Sequence, residues 1–233
     1  MNKNKEKRGG FYWKNSTPYL AVTEPLKILD KPAIRVWLMK SVWQAMVANP
    51  TLSEQEAMAA PYQKSKEAAS RGATIHSLVE TYKVSGKRIT TAPALFQPFL
   101  KAFYDWLDDN DIEILESEKT IFSEIHKIAG TCDLIVKNRQ SNKVFLVDVK
   151  TSKDGKIYDE AALQISAYFE ILKENGVKID QASALGLAET GKYTFVEQPY
   201  VFDQWLACKS IWLFKNRDLV KAVKYQERSK NVD

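Results

Sequence analysis

Asp133, Asp148 and Lys150 are the residues whose types and spacing could best do chemistry together. Residues 128–137 and 143–150 are rich in β-branched and apolar side chains. Asn138-Arg139-Gln140-Ser141-Asn142 between them is a polar turn cluster, so the pair predicts a β-hairpin. Val144-Phe145-Leu146-Val147 is apolar at four successive positions, the mark of a strand covered on both faces near the middle of a sheet. Asp148 and Lys150 are two apart and share a face with Leu146. With the turn centred near Gln140, Asp133 falls roughly opposite Asp148, where opposed residues have Cβ atoms about 4.5–5.5 Å apart. Two like charges at that separation repel and lose hydration in a half-buried site, and a divalent cation offsets both costs. A lone buried Asp is more often hydrogen-bonded to backbone at a strand end. Three charged groups converging on one patch of a central hairpin favour the cation.

These residues also carry a likeness. Gly130-Thr131-Cys132-Asp133, then Asp148-Val149-Lys150-Thr151-Ser152-Lys153, resembles the PD-(D/E)XK nuclease superfamily in its RecB-like exonuclease branch. Two further stretches match. Arg71-Gly72, His76 and Glu80 resemble that branch's R-G-x-x-x-H-x-x-x-E helix, and Gln164 with Tyr168 resembles its Q-x-x-x-Y helix. Without the motif, a histidine beside the apolar stripe Ile75, Leu78, Val79 and Tyr82 reads as a satisfied core or surface residue. The superfamily's proline before the first acidic residue is replaced here by Cys132, as it often is in RecB-like members.

The resemblance implies an α/β fold of the restriction-endonuclease-like kind, a mixed sheet with helices on both sides and an N-terminal helical region. It implies Mg²⁺ or Mn²⁺ held by His76, Asp133, Asp148 and the Val149 carbonyl. Lys150 would orient water or assist its deprotonation and stabilise developing charge. Gln164 and Tyr168 would position the phosphate and Lys150, and Arg71, Thr151 and Lys153 would touch substrate. The activity implied is phosphodiester hydrolysis in DNA. The chain looks most like stand-alone exonucleases of the phage or mitochondrial-genome-maintenance type. That likeness suggests single-stranded ends as substrate and a place in DNA recombination, repair or replication. A structure-specific endonuclease and a non-catalytic DNA-binding protein are the alternatives.

Composition sets bounds. The 233 residues suffice for one large domain, with 45% hydrophobic and 27% charged residues, as expected of a soluble globular protein. No apolar run reaches the ~18 residues of a membrane span, and no apolar signal core follows the basic start, so an intracellular protein without membrane partners is expected. Two cysteines, Cys132 and Cys208, exclude a disulfide framework and the four-cysteine iron–sulphur cluster of some RecB-like nucleases. The net charge of +5, concentrated at the two ends, is compatible with a polyanionic partner such as DNA.

The remaining elements must hold these side chains in place. Residues 1–10 read as a flexible basic arm. Residues 11–233 read as a single nuclease domain, helical over about 11–110, with the catalytic sheet over about 111–233. Helices are expected near 24–29, from Pro32 to Asn49, from a capped start at residues 51–56, and over residues 65–84, with Pro61 interrupting. Trp37 and Trp43 are expected in the core. A helix over 94–107 and a strand over 112–124 precede the hairpin, and Glu116 and Glu118 share a face of that strand. A helix over 157–175 closed by Gly176 follows, then strands over 178–188 and 193–198. One basic amphipathic helix over 202–224 should turn Trp205, Cys208, Trp212 and Leu219 inward.

Overall fold

The computed structural model describes the backbone of residues 5–229 and the side chains of residues 7–223. Its centre is a mixed sheet of eight strands flanked by helices. The strands are β1 Lys5–Arg8, β2 Phe11–Lys14, β3 Thr17–Ala21, β4 Ile112–Ser123, β5 Ile128–Asn138, β6 Val144–Ser152, β7 Gln181–Ala188 and β8 Tyr193–Glu197. The helices are α1 Pro32–Ala48, α2 Glu54–Ser85, α3 Gln97–Asp109, α4 Glu160–Glu174, α5 Phe202–Lys215 and α6 Arg217–Ser229.

The predicted hairpin is β5–β6, with Leu134 facing Val147 and Lys137 facing Val144. β4 runs antiparallel to β5 along its whole length, so β3 and β6 must share the other edge. β6 takes it at Leu134–Lys137, and β3 takes it at Ile128–Ala129, in parallel. Between the two lies a fork, residues 130–133, where neither strand pairs.

The alternation along β6 fixes two cores. Leu146 packs with Ile165, Tyr168 and Leu172 of α4 and Trp205 of α5 on one face. Val147 and Val149 pack with Ile75 and Val79 of α2 and Phe99, Phe103 and Trp106 of α3 on the other. Asp148 and Lys150 accordingly lie on the α4 side, as their spacing from Leu146 requires.

The helix α2 is long because both ends are well closed. Ser53 and Glu56 form a reciprocal capping box at its start. Gly86 ends it in the left-handed conformation, φ 66°, with its amide bonded to the Tyr82 carbonyl. The helix passes through Pro61, correcting the expected interruption. Pro61 removes one backbone donor near the helix start, and the ordered turns on either side tolerate the loss.

Other expectations are corrected. Lys5–Arg8 is a strand paired with β2, not a flexible arm; residues 1–4 lie outside the described part. Together with β2 and β3 it makes the start of the chain part of the sheet, not only helical. Phe11 and Trp13 are buried while Tyr12 and Lys14 are half-buried, the period-2 pattern of a strand. Trp37 and Trp43 are 38% and 65% exposed, because α1 packs chiefly along α2 and stands off the sheet. The last helix is two, broken at Asn216, whose side-chain amide donates to the Trp212 carbonyl. Leu219, beyond the break, is 42% exposed and does not point inward.

Trp205 ties the N-terminal strands to the second half of the chain. It is fully buried, and its indole N–H donates to the Val22 carbonyl at 3.0 Å. Trp205→Phe keeps most of the apolar volume but orphans that carbonyl. It should lower unfolding free energy by about 1–3 kcal/mol in denaturant titration; an unchanged midpoint would show the bond contributes nothing.

Candidate metal centre

The motif residues arrive at the fork from four elements, β5, β6, α2 and α4. Extending the β5–β6 register one step past Leu134 and Val147 sets Asp133 against Asp148. The strands part there, and the Asp133 Oδ2 accepts the Val149 amide at 2.7 Å, so a side chain replaces the missing ladder partner. From the other edge, β4 brings Glu118, between the pairs Ser117/Leu134 and Lys119/Cys132. A register shift between Ile114 and Glu116 and a positive φ of 47° at Glu118 bend β4 locally.

His76 of α2 reaches in from above. Its Nδ1 is 2.9 Å from Glu118 Oε1 and 3.5 Å from Asp133 Oδ1, and its Nε2 is 3.2 Å from the Val149 carbonyl. Ligand atoms of His76, Glu118 and Asp133 all lie within 4.8 Å of one another. Glu118 was legible only as an acidic residue on a strand face, and this geometry gives it its place.

Asp148 is set apart from that cluster. Its Oδ1 accepts from Gln164 Nε2 at 2.9 Å, and its Oδ2 is 2.7 Å from Lys150 Nζ. The Lys150 ammonium thus holds this buried oxygen in an ion pair. Gln164 also accepts from Lys150 at 3.3 Å and donates to the Tyr168 hydroxyl at 3.2 Å. α4 thus links Asp148, Lys150 and Tyr168 through one amide.

Tyr168 reaches this position because Gly130 lets it. A Cβ at Gly130 would fall 2.4 Å from the ring Cε1, a distance no side chain tolerates. The motif's glycine is there for a close approach, on β5 at the fork.

Charge at the site is unbalanced. Burial and the neighbouring Asp148 charge push the Asp133 carboxyl up to about 7, although His76 and Lys150 oppose this. Burial alone would lower His76, but the bond to Glu118 and the charges of Asp133 and Glu118 raise it to about 9. Both ring nitrogens of His76 face acceptors, which suits an imidazolium. Desolvation opposes the charge on Lys150, but Asp148 and Asp133 prevail and raise its pKa. The two carboxylates thus favour its ammonium form. Burial, then Asp133 and Asp148, hold the Tyr168 hydroxyl well above its ordinary value, so it stays protonated.

The donor set fits a hard divalent cation: two carboxylates, a backbone carbonyl and an imidazole, with Asp148 opposite Asp133 as a third carboxylate. The cluster lies in an open trough of about 740 Å³ lined also by Lys7, Tyr12, Glu80, Thr131, Lys150 and Tyr168. Thr151 lines it too. Arg71 instead faces Glu189 at 3.4 Å, and Lys153 is an exposed residue outside the trough's walls.

No protein-family model matches the chain, and no curated protein matches its sequence. Among solved structures it is similar to an alkaline exonuclease from Laribacter hongkongensis, at 12% identity and a TM-score of 0.44 over 91% of this chain and 93% of that one. It is also similar to the protein SSO0001, at 15% identity and a TM-score of 0.35 over 60% of this chain and 70% of that one. Likenesses this slight carry no weight, and the site stands on its own geometry. Among the described residues no helix is long and apolar enough to cross a membrane.

Two outcomes are expected. Gly130→Ala should displace Tyr168, lowering the melting temperature and breaking the Gln164–Tyr168 contact; a crystal structure with the ring unmoved would contradict this. The second concerns pH. His76, raised to about 9, contributes stability below its ordinary 6.5 that is lost as pH rises through 9. Asp133, raised to about 7, favours the folded state when neutral, a contribution lost as pH rises from 3.8 through 7. Without divalent cations the protein should therefore lose stability from this site between about pH 4 and 9. A cation competes with those protons, so the melting-point gain from Mg²⁺ should grow from pH 6 to 9. A gain that is flat or falls would contradict the assignment.

Proposed function

We propose that this chain is a Mg²⁺- or Mn²⁺-dependent DNA nuclease, a single nuclease domain that includes the N-terminal strands, acting as an exonuclease on single-stranded ends in recombination, repair or replication. The observation that carries the reading is the meeting of His76, Glu118 and Asp133, with the Lys150 ammonium nearby, in a trough open to a polyanion. The motif resemblance supports the same chemistry.

When bound, a divalent cation supplies Lewis-acid polarisation of the phosphate and a more acidic water. Glu118, Asp133, His76 and the Val149 carbonyl would hold it, with Asp148 behind them. Lys150 donates to a phosphate oxygen and stabilises the negative charge that grows in the transition state. Asp148 and the Gln164 carbonyl keep the ammonium aimed, at 2.7 and 3.3 Å. Tyr168, protonated and held by Gln164, is a neutral donor on the same wall. Water attacks phosphorus and gives up a proton to solvent, the P–O ester bond breaks, and the departing oxygen takes a proton from solvent, leaving an alcohol and a phosphate monoester.

End-labelled single- and double-stranded DNA should be degraded with Mg²⁺ or Mn²⁺ and not with EDTA, while a covalently closed circle is spared. Asp133→Asn, Glu118→Gln and Lys150→Ala should each slow cleavage by about 10²-fold or more with folding retained. Variants that cut like wild type would end the catalytic assignment, and a cut circle would favour an endonuclease.

A further inference from the structure

A second cavity, of about 410 Å³, shares Thr23, Lys150, Thr151 and Gln164 with the trough as common wall. Its other walls play no part in the chemistry above. Lys27, Lys31 and Lys156 bring three ammonium groups to it, against the single carboxylate of Glu160. Lys31 pairs with Glu160 at 3.1 Å and Lys27 with Glu24 at 2.7 Å. Among the described residues Lys156 has no carboxylate partner; its ammonium stands 5.1 Å from the centroid of the Tyr158 ring. Tyr158 is 57% exposed. The first turn of α4 forms part of the wall through Glu160 and Ala161, adding the partial positive charge of a helix start.

These features have one chemistry in common. The unpaired Lys156 ammonium, the neighbouring lysines and a helix start suit a phosphate, and an accessible ring suits the face of a base. The volume lies at the small end of the ~300–1,000 Å³ typical of small-molecule sites, enough for one nucleotide and not for a run of them. A simple anion or an acidic peptide would use the lysines but not the ring.

We propose that this cavity is a nucleotide subsite, holding the unit of the strand next to the one being cut and so limiting the released product to mononucleotides or very short oligonucleotides. This rests on the nuclease reading of the adjoining trough, and it gives Lys31, Lys156 and Tyr158 a role in product length that no motif signals.

The test titrates thymidine 5′-monophosphate, and separately inorganic phosphate, into the full chain by calorimetry. EDTA is present, so that no cation at the acidic cluster holds the phosphate. The nucleotide should bind more tightly than phosphate. Lys31→Ala combined with Lys156→Ala should weaken both by about ten-fold or more, and Tyr158→Ala should weaken only the nucleotide. Lys178→Ala, at a remote ammonium 88% exposed, should match wild type. On end-labelled DNA the first two variants should release longer products. Nucleotide affinity unchanged in the double variant, or no nucleotide binding by wild type, overturns the subsite. Wild type that binds the nucleotide through these residues but cuts no DNA leaves the subsite standing and removes the nuclease. Cleavage with identical products from every variant does the reverse.

Discussion

Where β6 leaves β5, Asp133 and Asp148 come to rest in a half-buried cleft, with Glu118 beside them and His76 and Lys150 as the facing cations. Burial and mutual repulsion make the two carboxylates costly to ionise together. Without a metal the protein answers with protons: His76 holds an extra one, and Asp133 resists losing its own. A divalent cation would relieve both conditions at once, so the strain of the cleft is also its affinity.

The scaffold exists to keep that cleft from relaxing. Two strands share one edge of β5 in succession, and the gap between them leaves Asp133 free to bond the Val149 amide in place of a ladder partner. Apolar cores on both faces of β6 prevent the strand from turning Asp148 and Lys150 away. The capped, uninterrupted α2 carries His76 to the Val149 carbonyl, and α4 packs closely enough for Tyr168 to lie on Gly130. Each positioning contact is a packing or hydrogen-bonding consequence of a core that would form regardless of chemistry.

Much of this was legible beforehand, for identifiable reasons. The hairpin could be read because β-branched runs and a polar turn are local signals, and its register followed from counting across the turn. Asp148, Lys150, Gln164 and Tyr168 meet as their spacing on one strand face and one helix face requires. Glu118 could not be singled out, because a register shift and a positive φ in β4 decide where it points, and neither leaves a mark in residue types. Arg71 shares a motif with His76 but faces Glu189, a partner supplied by the turn after β7 and invisible from α2 alone. Trp37 and Trp43 misled for a related reason: hydrophobicity says that a side chain prefers burial, not that anything is available to bury it. The strand at Lys5–Arg8 was hidden by its charge, since pairing along a sheet edge needs backbone and not apolar side chains.

The most direct measurement is anomalous diffraction from crystals soaked in Mn²⁺. A manganese peak should lie within coordination distance of Glu118, Asp133 and His76 together, with the His76–Glu118 hydrogen bond broken to admit it. A site in which that bond persists while manganese binds elsewhere, or nowhere, would contradict the account.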